Sequence, residues 1–206
     1  MQKSSPDKIF IKKWEGFSVQ KRFSLEKATN EWVLSIDADE RVSEGLRKEI
    51  EELLNEEPKA DGYKIPRENY FLNKAIKSCG WYPDYQLRLF RKSKTVVTER
   101  KVHEGFIVDG KVENLSSPLI HLTHQNISET ISKINHYSTL EAEEKVDRKK
   151  VKSHQIITHP IAAFLNHFIS RKGYKDGVHG LMISLIHATT NMLTYMKLWE
   201  MQNVKK

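Results

Sequence analysis

The sequence has little cysteine: Cys79 is the only one in 206 residues. No internal disulfide is possible, and no cysteine-based zinc site exists. A reducing, cytosolic compartment fits that usage. Met1 to Lys13 holds no apolar run of signal-peptide length. The sequons at Asn114 and Asn126 are therefore read as fortuitous. No internal repeat and no low-complexity tract occurs, which excludes a repeat architecture. Lys and Arg are spread along the chain without an RNA- or DNA-binding motif, so no nucleic-acid partner is expected.

What is present is a chain able to bury a core. Hydrophobic residues make up 38% and charged residues 30%, which argues against disorder along the whole length. The length suits one domain, or one with an appendage. Lys plus Arg number 34 and Asp plus Glu 27, a net charge of +7. That surplus points to an anionic partner: nucleic acid, acidic lipid or a phosphorylated ligand. Charge alone does not choose among them, and a merely soluble basic protein shows the same balance.

The pattern along the chain is mixed α/β, then helical. Lys8 to Ile11 reads as a short strand-like run, and Val19 to Thr29 as a helix. Trp32-Val33-Leu34-Ser35-Ile36 reads as a buried strand that stops at Asp37. Ser43 is a suitable N-cap for a helix carrying Leu46, Ile50, Leu53 and Leu54, with Pro58 beyond its end. Gly62–Pro66, Tyr85–Phe90 and Leu119–Leu122 read as strands. Phe106–Val108 followed by Asp109-Gly110 is a hairpin signal. From Ser128 the period becomes helical, first to Glu144, then at Ile156–Ile169 and Gly180–Trp199. Lys145 to Lys152 is a charged, exposed link. The change falls near residue 125, so residues 1–125 form an α/β body and residues 126–206 a helical extension.

Three constellations carry chemistry. The first is Asp37-Ala38-Asp39-Glu40. In extended backbone, residues two apart project to one side, so Asp37 and Asp39 face one pocket at a strand's carboxyl end. Paired carboxylates are hard oxygen ligands for Mg²⁺ or Mn²⁺, which in turn hold a diphosphate. A solvated acidic turn before the Ser43 helix is the competing reading. A calcium EF-hand is excluded, because Val42 stands where that loop needs glycine. The second is Gly80-Trp81-Tyr82-Pro83-Asp84-Tyr85-Gln86-Leu87-Arg88-Leu89-Phe90-Arg91. Its aromatics stack on sugar rings or fill a core, the core use being commoner. Asp84 and Arg88 suit either a structural ion pair or the binding of hydroxyls and phosphates. The third is Val102-His103-Glu104. Either side chain suits a general base, and an exposed polar pair is the alternative.

The segments EWVLSIDADER, YKIPRENYF, GWYPDYQLRLFR, VHE and the terminal KLWE, in this order and spacing, resemble bacterial family 2 glycosyltransferases. The nearest likeness is to lipopolysaccharide core β-glycosyltransferases, and it runs from about Phe10 to Gln202. The resemblance implies the GT-A fold, a Rossmann-like α/β sandwich. It implies a nucleotide-sugar donor, a divalent metal (Mg²⁺ or Mn²⁺) and inversion at the anomeric carbon. Asp37 would then sit near the donor ribose, Asp39 would hold the metal, and Arg88 would be on the donor-diphosphate side. Glu104 is the first choice for the base that deprotonates the acceptor, and Asp84 the second. Trp81, Tyr82 and His103 are assigned to the acceptor side. His121 is either a further metal ligand or a structural strand-end histidine. Family members open with a strand of the VVIxxxNE type and a second strand ending in Asp, which bind the nucleotide base. Nothing like them stands before Lys8, so a chain lacking that first portion is expected. A non-catalytic remnant that binds a membrane or a partner is the alternative.

The tail bears on location. The twenty residues between Asp176 and Lys197 contain no Asp, Glu, Lys or Arg. That approaches a bilayer-spanning length. His179, His187, Asn191 and three threonines within it make spanning costly. An interfacial helix at Gly180–Trp199, or one buried on the body, is expected instead. Arg171, Lys172 and Lys175 would favour anionic headgroups. A lipid-linked glycan acceptor fits a peripheral position on the cytoplasmic face of the membrane.

Overall fold

A computed structural model describes residues 8–98, 105–148 and 150–204. In chain order it begins with helix α1 (Phe17–Lys27), strands β1 (Trp32–Leu34) and β2 (Glu40–Val42), and helix α2 (Glu44–Asn55). Seven strands follow: β3 (Gly62–Phe71), β4 (Lys74–Ala75), β5 (Asp84–Arg91), β6 (Thr95–Val97), β7 (Phe106–Val108), β8 (Val112–Asn114) and β9 (Leu119–His124). Helices α3 (Ile127–Lys145), α4 (Gln155–Leu165) and α5 (Val178–Asn203) complete the fold. The strand-to-helix change thus falls between His124 and Ile127. Ser43 Oγ accepts from Leu46 N at 3.1 Å, and Asn126 Oδ1 accepts from Glu129 N at 2.8 Å. Each side chain satisfies a backbone donor that has no partner within its helix.

The main sheet runs β1-β5-β3-β9-β2, with β4 and β8 also paired to β3. β3 lies antiparallel to β4 and β5 and parallel to β8 and β9. Parallel neighbours need crossovers, and the chain from β3 reaches β8 and β9 only after passing through β5 and the β6–β7 excursion. Tyr63, Ile65, Leu89, Leu115 and Leu119 of the sheet side bury against Leu46 of α2. Burying a side chain of that size contributes about 1.5–3 kcal/mol.

A second core joins the sheet to the C-terminal helices. Phe71, Ile76 and Cys79 pack with Ile183 of α5. The buried Asp176 carboxylate accepts from Lys77 N at 3.1 Å, Ser78 N at 3.0 Å and Ser78 Oγ at 2.6 Å. A Cβ on Gly180 would stand 1.8 Å from the Gly173 carbonyl oxygen. Glycine is therefore required where α5 starts against that turn.

Three sequence expectations change. Lys8–Ile11 is unpaired coil, with Ile9 and Ile11 exposed. β1 is a three-residue, half-buried strand at the sheet edge, because only β5 pairs with it. Asp109-Gly110 does not close a hairpin: β7 pairs with β6, whereas β8 pairs with β3. Asp61 redirects the chain there, bonding Lys111 through its backbone N–H at 2.8 Å and its carboxylate at 3.3 Å.

Candidate active site

The segment after β1 turns instead of staying extended. Glu40 N donates to Asp37 O at 3.0 Å, and Asp37 N donates to Glu40 Oε2 at 3.0 Å. Asp37 and Asp39 therefore do not alternate as in a strand, and each faces its own partner. Both carboxylates remain partly open to solvent.

Asp37 meets Arg88. Arg88 lies buried on β5, and its Nη2 donates to Asp37 Oδ2 and to Glu40 Oε1, both at 2.5 Å. Its Nε is buried without a partner among the described residues. Glu40 is also buried, and Arg67 Nη1 stands 3.6 Å from its Oε1. Arg67 lies opposite Asp84 in the β3–β5 register and donates to Asp84 Oδ2 from Nε at 2.9 Å and from Nη2 at 2.5 Å. Asp84 and Arg88 thus do not pair with each other. Burial alone raises the affinity of Asp84 for a proton. Hydrogen bonds from Gln86 and Arg67, with the Arg67 charge, outweigh it and hold the carboxyl below its usual range.

Asp39 meets His121. β2 and β9 place Glu40 opposite His121. His121 Nε2 comes to 3.4 Å from Asp39 Oδ2, and its Nδ1 to 2.6 Å from Asn69 Oδ1. Asn69 Nδ2 donates to the Trp81 carbonyl at 2.8 Å, which fixes the amide so that its oxygen faces the histidine. His121 therefore carries its proton on Nδ1 when neutral, with the Nε2 lone pair towards Asp39. Burial and the Arg67 charge push its pKa below the ordinary value, against Asp39 and Glu40. This arrangement, an imidazole oriented by a hydrogen bond to its other nitrogen, is the usual support of a metal-binding histidine.

Trp81 is half-buried between helices and sheet. Its ring stacks on His124 with centroids 5.5 Å apart, and its Nε1 donates to His187 Nε2 at 3.2 Å. Lys77 Nζ lies 4.1 Å over the Tyr82 ring. Asp37, Asp39, Asp84, Arg88 and Trp81 thus meet around Glu40, Arg67 and Asn69. His103 and Glu104 lie outside the described residues. Glu40, Arg67 and Asn69 had received no role from the sequence. The available signal was the polar pair Arg67 and Asn69, two apart on the face that Tyr63, Ile65 and Phe71 otherwise make apolar. Two clefts of about 330 and 430 Å³ lie instead among residues 8–12, α1 and β1, and no acidic side chain lines them.

Asp39 and His121 fit one divalent ion. They supply one carboxylate and one imidazole, a set that suits Mn²⁺ better than Mg²⁺. No group of three His, Cys, Asp or Glu converges among the described residues. An ion held here would take its other ligands from phosphates and water, the common state of a metal in phosphate chemistry.

No family model matches the chain. It is 30% identical over 203 residues to the lipopolysaccharide core biosynthesis glycosyltransferase LpsC of Rhizobium meliloti (strain 1021), covering 97% of this chain and 75% of that protein. It is 29% identical over 215 residues to an uncharacterized glycosyltransferase of Rickettsia typhi, covering 94% and 70%. A Rickettsia conorii glycosyltransferase, also uncharacterized, is 30% identical over 209 residues, covering 94% and 73%. The mixed α/β sheet and helical C-terminal part agree with the Rossmann-like fold of such enzymes. On this likeness, the chain belongs to the glycosyltransferase family that includes LpsC.

Proposed function

We infer that this chain is an inverting, family 2 glycosyltransferase. It moves a sugar from a nucleotide-sugar donor to a lipopolysaccharide-core or other cell-envelope glycan. The observation that carries the reading is the Asp39–His121 pair, oriented through Asn69 and set beside the Asp37–Arg88–Glu40 network. Residues up to about 125 carry the donor and acceptor chemistry, and the helices from 126 face a membrane at its cytoplasmic side.

The roles follow from the contacts. Asp39 and His121 would hold Mg²⁺ or Mn²⁺, whose positive charge would stabilise the leaving nucleoside diphosphate. Asp37 takes a donor hydroxyl, held in place by Arg88. Arg88 is buried and occupied by two carboxylates, so it positions Asp37 and does not touch the diphosphate. The acceptor hydroxyl loses its proton to a carboxylate as its oxygen bonds to the anomeric carbon and the bond to the diphosphate breaks. Glu104 is assigned this role ahead of Asp84, whose two Arg67 hydrogen bonds make it a weak base. Trp81, Tyr82 and His103 are assigned to acceptor binding.

The test is transfer from a panel of nucleotide sugars to a lipid-linked core glycan, with the product's anomeric configuration read by NMR. Inversion relative to the donor is expected. Retention would overturn the single-displacement mechanism, and transfer from none of the donors would overturn the enzymatic reading.

A further inference from the structure

Helix α4 is apolar on both sides. Gln155 to Ser170 contains no Asp, Glu, Lys or Arg. One side meets α5, where His159 stacks on Tyr195 with centroids 4.3 Å apart and His167 stacks on His187 at 3.7 Å. Two positions along a helix lie on its far side. There Ile157, Ile161, Leu165 and Ile169 are 65, 54, 46 and 57% exposed. Ile169 belongs to the π-helical turn Asn166–Ser170 that continues α4. A helix apolar all round is normally covered, and a continuous apolar stripe on a surface marks a contact.

The charge around this stripe has one sign. Lys150 and Lys152 precede it, and Arg171, Lys172 and Lys175 follow it, all exposed. Between Lys150 and Trp199 the only acidic residue is Asp176, which is buried against Ser78. Val178, Leu181 and Leu185 of α5 continue the exposed apolar surface beyond the basic turn. No helix among the described residues is long and apolar enough to cross a membrane. A second copy of the chain would bring a rim of the same sign against this one. An anionic lipid surface matches both the stripe and the rim.

We propose that α4 and the basic turn after it dock the protein on an anionic bilayer. Ile157, Ile161, Leu165 and Ile169 enter the boundary between headgroups and acyl chains, and Lys172 and Lys175 meet lipid phosphates. This moves the contact from α5, expected from the sequence, to α4. The reason is that α5 spends one face on the body and on α3, burying Ile183, Ser184, Thr194, Tyr195 and Leu198. The inference deepens the membrane placement proposed above. Vesicle binding needs no turnover, so its failure would leave the transferase reading untouched.

The experiment is flotation of the full chain with vesicles of phosphatidylcholine alone or mixed with phosphatidylglycerol. Binding to the mixed vesicles is expected, falling as salt rises. The double change Lys172→Gln and Lys175→Gln, which removes two cations, should weaken it about 25-fold, at about fivefold per cation. Ile161→Glu should abolish flotation while circular dichroism and the melting temperature stay nearly unchanged, because that side chain is mostly exposed and belongs to neither buried core cluster. A parent that stays with the solution would overturn the proposal. So would unchanged binding by Ile161→Glu, or a dimer in sedimentation equilibrium that Leu165→Glu dissolves.

Discussion

His121 presents Nε2 to the Asp39 carboxylate at 3.4 Å while Asn69 holds its Nδ1 at 2.6 Å. The histidine has one orientation and, when neutral, one tautomer. Nitrogen NMR of the imidazole should show the Nδ1–H form at neutral pH. Substoichiometric Mn²⁺ should broaden the His121 ring signals before those of His136 or His154. An Nε2–H tautomer, or broadening that spares His121, would remove it from the metal site.

Arg88 concentrates the electrostatic risk of the site. Removing it leaves the buried Glu40 carboxylate with the Asp37 N–H and, as its one remaining cation, the more distant Arg67. Breaking a buried ion pair from one side costs about 3–5 kcal/mol. Arg88→Ala should therefore lower the urea midpoint strongly. Arg47→Ala removes only an exposed, solvent-screened pair with Glu51 and should leave the midpoint nearly unchanged. Equal midpoints for the two variants would contradict the assigned network.

Glu104 and Asp84 separate by kinetics. A base acting only in the transition state lowers kcat more than it raises KM. Glu104→Gln should lose about 10²–10⁴-fold in kcat. Asp84→Asn should chiefly lower stability, because Arg67 loses its carboxylate partner. If Asp84→Asn shows the large kcat loss and Glu104→Gln does not, the two roles exchange.

His187 ties α5 to the body and sets a pH limit on stability. Burial, then the neighbouring His167, Arg171 and His124, lower its pKa to about 4. The unfolded chain takes up that proton near pH 6.5, before the folded one does. Stability is therefore full above pH 6.5 and falls as pH drops towards 4, by at most about 3 kcal/mol from this group. His187→Gln should flatten that slope in urea titrations between pH 7 and 4.5. An unchanged slope would place the acid sensitivity elsewhere.

The elements readable from sequence were those with local causes. The Ser43 cap and the 3.6-residue spacing of Leu46, Ile50, Leu53 and Leu54 marked α2 correctly. The apolar alternation of Tyr85–Phe90 marked β5. The failures arose where distant residues decide. Asp109-Gly110 is a strong local turn signal, yet Asp61 and the β6 edge send its two flanks to different sheets. The Asp37–Glu40 carboxylates were visible as a motif, but their division between Arg88 and His121 depends on strands 48 and more residues away. Arg67 and Asn69 gained meaning only when the register set Arg67 opposite Asp84 and Asn69 opposite His121.

The central claim is that Asp39, with His121, binds a divalent ion together with a nucleoside diphosphate. Calorimetry of the full chain with nucleoside diphosphates, with and without Mn²⁺, measures it directly. The account predicts binding that requires the metal, that Asp39→Ala removes, and that Asn69→Ala, which loses the partner orienting His121, weakens roughly 10–100-fold. Metal-independent binding, or equal binding by Asp39→Ala, would contradict it.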